Sequence, residues 1–209
     1  MKVLLIGSTG ATGYDLLELM MHDERIDSIA TFARRDDHHG NEKVSAHVVD
    51  FDQIGQWQSE LTGDVLMSTM GTTLKDAGSQ QAQWKVDFDY QYNVAKAARE
   101  NGVDTFVLMS SINANSRSKF FYMKMKGQLE EAVKQLGFKR LVIVQPPALI
   151  RKNTTRLNEK LSLPVVRFLN KLGLMKSMAP ISTEAVAKIM LDAAMRKDGA
   201  AIEVIEVKK

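Results

Sequence analysis

The stretch Met1-Lys2-Val3-Leu4-Leu5-Ile6-Gly7-Ser8-Thr9-Gly10-Ala11-Thr12-Gly13 decides the fold. An apolar run, Val3 to Ile6, stops at Gly7, and two more glycines follow at three-residue steps. Helix-compatible sequence continues through Leu16, Leu17, Leu19 and Met20. The pattern is strand, tight glycine loop, helix. Such a loop brings backbone N–H groups and a positive helix N-terminus up to a pyrophosphate with no side chains in the way. Gly7 permits the turn, Gly10 the approach to phosphate, and Gly13 the packing of helix on strand. The spacing is G-x-x-G-x-x-G, and its weight comes from context: a buried-type strand before it and a helix after it.

Beyond residue 13 short apolar runs alternate with amphipathic ones. Strands are predicted at Val3–Ile6, Ile29–Phe32, Ala46–Val49, Val65–Ser68, Thr105–Met109, Leu141–Gln145 and Ile202–Val207. Helices are predicted at Ala11–Met21, Gln80–Glu100, Lys119–Gln135, Arg156–Lys171 and Glu184–Met195. The first five strands are rich in Val, Leu, Ile and Phe without regular alternation, which predicts burial on both faces. Strands alternating with helices imply βαβ units and a doubly wound, mostly parallel sheet of Rossmann type. With 209 residues, one α/β domain is expected over 1–209. The irregular segment 151–180 reads as a small substrate-side cap within it.

Apolar residues make up 44% and charged residues 25%, enough for a full core. The net charge of +3 comes without a dense basic run interleaved with aromatics, so no nucleic-acid partner is expected. The absence of cysteine excludes disulfides, thiolate catalysis and cysteine–zinc sites. No apolar stretch approaches the ~18 residues of a membrane helix. A cytoplasmic protein is expected, with a small-molecule substrate; a protein partner or a homodimer is compatible with the sequence. Of the four histidines, His38 and His39 lie in a polar loop, and no metal site is expected. Met123, Met125, Met175 and Met178 are candidates for a pocket lining, with packing the favoured role for each.

In an open parallel sheet the ligand lies at the carboxyl ends of the strands. The cradle Gly7, Ser8, Thr9, Gly10, Ala11, Thr12 and Gly13 follows the first. After the second strand comes Ala33-Arg34-Arg35, with no acid to hold ribose hydroxyls. Guanidinium groups bind phosphate bidentately, so Arg34 and Arg35 favour the 2′-phosphate of NADP(H). After the third comes Asp50-Phe51, where a carboxylate can accept from an adenine amino group or cap a turn. After the fourth, Met70, Gly71 and Thr72 form a small turn that can pass close to the cofactor's middle.

The fifth strand ends in Ser110-Ser111, and Tyr122-Met123-Lys124-Met125-Lys126 follows eleven residues later. Tyr122 and Lys126 are i and i+4 on one helix face. A phenol is a weak acid–base group at neutral pH, and a nearby ammonium favours its ionised form. Lys126 can supply that charge and also donate to the nicotinamide ribose. A hydroxyl at Ser111 can hydrogen-bond a carbonyl. The three together can move a proton while a cofactor moves a hydride.

These stretches together resemble a known family. Gly-Ser-Thr-Gly-Ala-Thr-Gly (7–13), Ala-Arg-Arg (33–35), Val-Val-Asp-Phe (48–51), Gly-Thr-Thr-Leu-Lys-Asp-Ala-Gly (71–78), Val-Asp-Phe-Asp-Tyr (86–90), Met-Ser-Ser (109–111) and Tyr-Met-Lys-Met-Lys-Gly (122–127) are similar to atypical short-chain dehydrogenases/reductases. The likeness is to the group related to the HIV Tat-interacting protein. It implies a Rossmann-type fold, NADP binding, and catalytic roles for Ser111, Tyr122 and Lys126. Two departures stand out. Many members carry Asn where this chain has Asp87, and Pro-Gly where it has Pro146-Pro147. Pro146 remains a candidate to abut the nicotinamide. The expected function is an NADP(H)-dependent oxidoreductase acting on a small carbonyl. The alternatives are an NADP(H)-binding redox sensor that binds a partner, and an isomerase or epimerase that uses bound cofactor transiently.

Overall fold

The computed structural model describes residues 1–36, 40–150, 180–196 and 198–207. The predicted helix 156–171, almost all of the cap 151–180, His38, His39, Met175 and Met178 lie outside the described residues.

Seven strands form one sheet: β1 (Lys2–Ile6), β2 (Ser28–Ala33), β3 (Val44–Val48), β4 (Val65–Ser68), β5 (Thr105–Met109), β6 (Arg140–Gln145) and β9 (Ile202–Glu206). Their order is β3-β2-β1-β4-β5-β6-β9, and every neighbouring pair is parallel. Two short strands, β7 (Leu149–Ile150) and β8 (Ile181–Ser182), pair separately, also in parallel. This is a doubly wound Rossmann-type α/β fold.

Alternation along β1 shows how the layers form. Val3 and Leu5 face α1 (Ala11–Met21) and α6 (Thr183–Met195) on one side, with Leu16, Leu17, Met20, Val186 and Met190. Leu4 and Ile6 face the other side, where α4 (Gln91–Glu100) and α5 (Phe121–Lys134) bring Val94, Ala98, Leu129 and Val133. Period 2 in the strand and 3.6 in the helices thus meet in two cores.

Burial on both faces holds for β1, β2, β4 and β5 but not for β3. That strand pairs only with β2, and as the sheet's edge it leaves Ser45 and Val48 exposed. The region predicted as one helix over 80–100 is three pieces. After a short α2 (Leu74–Ala77), the chain runs through α3 (Gln80–Trp84), a π-helical turn (Lys85–Tyr90) and α4. A π turn accommodates an extra residue and is common at functional sites.

Candidate functional site

The strand order reverses between β1 and β4, so a crevice opens at their carboxyl ends. Gly7 turns the chain out of β1 at φ +88, a left-handed conformation that suits glycine. Thr69, just after β4, donates its backbone N–H to the Ile6 carbonyl at 3.0 Å and its hydroxyl to the Gly7 carbonyl at 3.1 Å. A Cβ on Gly7 would stand 2.5 Å from the Met70 nitrogen, and one on Gly13 would stand 2.6 Å from Thr69 Oγ1. The glycine loop and the 69–72 turn are therefore pressed together, which brings Met70, Gly71 and Thr72 beside Gly7–Gly13. Gly10 differs: a Cβ there would meet only the Gly7 carbonyl, at 3.2 Å. Ser8 and Thr12 are buried, while Thr9 and Gly10 are exposed. Gly10 is the N-cap of α1, which has no side-chain cap and no acid in its first turn.

The π turn aims Asp87 inward. Its Oδ1 lies 3.0 Å from Lys126 Nζ, and the two side chains are 1% and 4% exposed. Its Oδ2 accepts the Thr72 N–H at 2.8 Å, and Gln83 Nε2 donates to the Thr72 carbonyl at 3.1 Å. Gln91 Nε2 donates to the Asp87 carbonyl at 2.7 Å, and Ser68 Oγ donates to Gln91 Oε1 at 2.6 Å. Burial alone would lower the Lys126 pKa. The Asp87 carboxylate and Tyr122 outweigh that burial and hold the lysine above its ordinary value.

Tyr122 and Lys126 share one face of α5, with Nζ 6.0 Å from the phenol ring centre. Tyr122 is 39% exposed, open to an incoming molecule. Ser111 is half-buried, and its hydroxyl donates to the Ile112 carbonyl at 3.3 Å. Among the described residues no hydrogen bond joins Ser111 to Tyr122 or Lys126. The loop after β5 meets α5 at Gly127. A Cβ there would stand 2.6 Å from Asn115 Cα, so only glycine lets the loop after β5 lie on this helix.

One turn beyond Lys126, Glu130 is also buried. It accepts from the Ser110 hydroxyl, and Gln145 Nε2 donates to its two oxygens at 2.9 and 3.1 Å. The ends of β5 and β6 are thereby tied to α5. Pro146 is buried beside them, and its carbonyl accepts from the Ile112 N–H at 3.0 Å.

After β2, Arg34 and Arg35 are exposed, and neither forms an ion pair among the described residues. Asp50 caps a 3-10 turn (Phe51–Gln56), accepting the Asp52 N–H at 2.9 Å. The Phe51 ring is buried, packed edge-on to Trp57 and against Tyr90. Among the described residues no cluster of three or more His, Asp or Glu could hold a metal, and no helix is long and apolar enough to cross a membrane.

Comparison with known proteins bears on this arrangement. Residues 7–197 match the family described as NAD(P)H-binding. The chain belongs to this NAD(P)H-binding family. Its relatives include "Protein FMP52, mitochondrial" of Candida albicans, 32% identical over 203 residues, covering 94% of this chain and 89% of that protein. Among solved structures, the oxidoreductase ylbE from Lactococcus lactis superposes with a TM-score of 0.74 at 21% identity, covering 100% of this chain and 92% of that one. The Bordetella bronchiseptica enzyme WbmG in complex with NAD superposes with a TM-score of 0.73 at 12% identity, covering 99% and 72%. At these identities the solved structures establish the fold. The expectation of a cytoplasmic protein is overturned by the relatives' names, which place those proteins in mitochondria.

The residues present fit a dinucleotide of the kind this family binds. The first turn of α1 is uncapped and unopposed by acid, and at Gly10 the backbone carries no side chain toward it, as a pyrophosphate requires. Reading the sequence missed Gln83, Gln91, Ser110, Glu130 and Gln145. Each is a polar residue on an apolar helix face or at a strand end, a pattern that signals burial only once neighbouring elements are placed.

Proposed function

We propose that the protein is an NADP(H)-dependent oxidoreductase that reduces a small carbonyl compound. One observation carries the reading. Tyr122 and Lys126 share a face of α5, and Lys126 is fixed by Asp87, which also grips the Thr72 N–H beside the glycine loop. A proton-handling pair and a dinucleotide cradle are thus joined by one carboxylate.

In this reading the glycine loop (7–13) holds the pyrophosphate, Arg34 and Arg35 take the 2′-phosphate, Asp50 faces the adenine, and Met70, Gly71, Thr72 and Pro146 flank the rest. When bound, the cofactor supplies the hydride. Tyr122 Oη gives the substrate oxygen its proton, and its exposure lets that oxygen reach it. Lys126 presents its ammonium to the phenol ring and to the ribose hydroxyls. Ser111, released from its long bond to Ile112, donates to the substrate oxygen and fixes its position. The narrower kinship with the Tat-interacting group rests on the shared Gly-Thr-Thr and Tyr-x-x-x-Lys-Gly stretches. The test is a panel of carbonyl substrates, with loss of the reduced nicotinamide absorbance as readout. Cofactor binding without turnover of any of them would overturn the enzyme reading.

That last outcome would favour a second reading, a redox sensor that binds a protein partner. The observation on its side is that Lys126 is already committed to Asp87 and Ser111 to Ile112.

A further inference from the structure

The described ion pairs are surface or half-buried contacts, with the exception of Lys126 and Asp87. Its placement bears on a property of nicotinamide cofactors. The oxidised ring carries one positive charge that the reduced ring lacks. A buried ammonium with no counter-charge beside that ring would disfavour the oxidised form, because charges in a low-dielectric setting are poorly screened. In this protein the ammonium is cancelled. Asp87 Oδ1 is 3.0 Å away, and the carboxylate cannot swing aside. Its Oδ2 holds the Thr72 N–H, its backbone carbonyl holds Gln91, and a Cβ on Gly71 would already stand 3.3 Å from Oδ1. Glu130, one turn along the same face, accepts hydrogen bonds on both oxygens, and its carboxylate is a second, weaker negative influence on Lys126 that both variants below leave in place.

We propose that Asp87 sets the redox-state preference of the cofactor site: its fixed carboxylate cancels the charge of Lys126, so that the oxidised cofactor is held as tightly as the reduced one. The proposal rests on the cofactor reading above. It makes Asp87 a positioning and charge-balancing residue that need not touch substrate. A site of this kind does not expel the oxidised cofactor by charge.

The test is calorimetric titration of the full chain with NADP⁺ and with NADPH, read as the ratio of the two dissociation constants. The unmodified protein should give a ratio within a few-fold of one. Asp87→Asn keeps shape and an acceptor for Thr72 but removes the charge, and should shift the ratio about tenfold toward NADPH. Lys126→Met should shift it by a similar factor toward NADP⁺. Each variant is compared with the unmodified protein at the same pH. Equal weakening of both cofactors in Asp87→Asn, or an unmodified protein that already favours NADPH tenfold, would overturn the proposal while leaving the cofactor reading intact. The second of these needs no variant to fold. If the unmodified protein binds neither cofactor, the cofactor reading itself fails and this proposal falls with it.

Discussion

Lys126 Nζ stands 3.0 Å from Asp87 Oδ1, and α5 and the π turn close over the pair almost completely. A buried ion pair is weak evidence of net stabilisation, because desolvation offsets much of the attraction. Removing one partner is a different matter. It strands a charge where water cannot reach it.

Asp87→Ala should therefore lower the unfolding free energy by about 3–5 kcal/mol. Asp87→Leu combined with Lys126→Met should cost much less than the two single changes added together, since the partners act as a unit. The pH dependence has a fixed sign. The folded-state value of Lys126 is raised, so its contribution is complete below the ordinary lysine range and is lost as pH rises through the raised value. Urea unfolding should show the same contribution from this pair at about pH 6 and pH 8, and a falling one only in strong alkali. A contribution that already declines through neutral pH would contradict the pair as described.

Gly10 and Gly13 should separate binding from folding. At Gly10 a Cβ meets one carbonyl at 3.2 Å, so Gly10→Val should fold, with its methyl groups filling the space in front of α1. Cofactor binding should be lost. At Gly13 a Cβ would run into the Gly7 carbonyl and stand 2.6 Å from Thr69 Oγ1, so Gly13→Val should damage the fold itself. Circular dichroism and calorimetry together would show it. Normal NADPH binding by Gly10→Val would remove residues 7–13 as a phosphate cradle.

The seven-stranded sheet was legible because apolar runs and the glycine loop are local patterns. The predicted strands over 65–68 and 105–109 match the observed ones residue for residue. Much of the site was not legible, and the reasons are tertiary. Glu130 reads as a surface residue of an amphipathic helix, and its burial follows from where β5 and β6 end. Asp87 was visible only as a departure from a family pattern. Its aim at Lys126 depends on a π turn that no local periodicity announces. Gly127 stood in a quoted motif, but its reason is a backbone from a different segment, at Asn115 and Ser116.

Gly127 gives a prediction of its own. Gly127→Ala should force the 113–118 loop off α5 and carry Ser111 with it. A stability loss of about 1–3 kcal/mol is expected, the usual cost of overpacking. Activity should fall more than NADPH affinity, because the glycine loop and Arg34 are untouched. An alanine variant as stable and active as the unmodified protein would show that the loop has room this structure does not display.

Cofactor identity is tested at Arg34 and Arg35. Both are exposed after β2 without an ion-pair partner among the described residues, where a 2′-phosphate would meet them. A charge-assisted hydrogen bond contributes ~1.5–3 kcal/mol, so NADPH should bind at least about tenfold tighter than NADH. Arg34→Ala should remove most of that preference by weakening NADPH alone. Equal affinity for the two cofactors in the unmodified protein would end the case for NADP(H).

Tyr122→Phe separates enzyme from sensor. The side chain sits in the first turn of α5, 39% exposed, so losing its hydroxyl should leave the melting temperature unchanged. If Tyr122 is the proton donor, turnover of a carbonyl substrate should fall by about 10²–10⁴-fold, the usual effect of removing a positioned acid. NADPH affinity should barely move, because the phenol has no part in the cradle. Lys126→Met should damage both, since it serves the phenol and the ribose and leaves Asp87 unpaired. In a sensor, Tyr122→Phe would be silent, and partner binding would differ between NADP⁺ and NADPH. A carbonyl whose reduction survives Tyr122→Phe undiminished would eliminate this proton path.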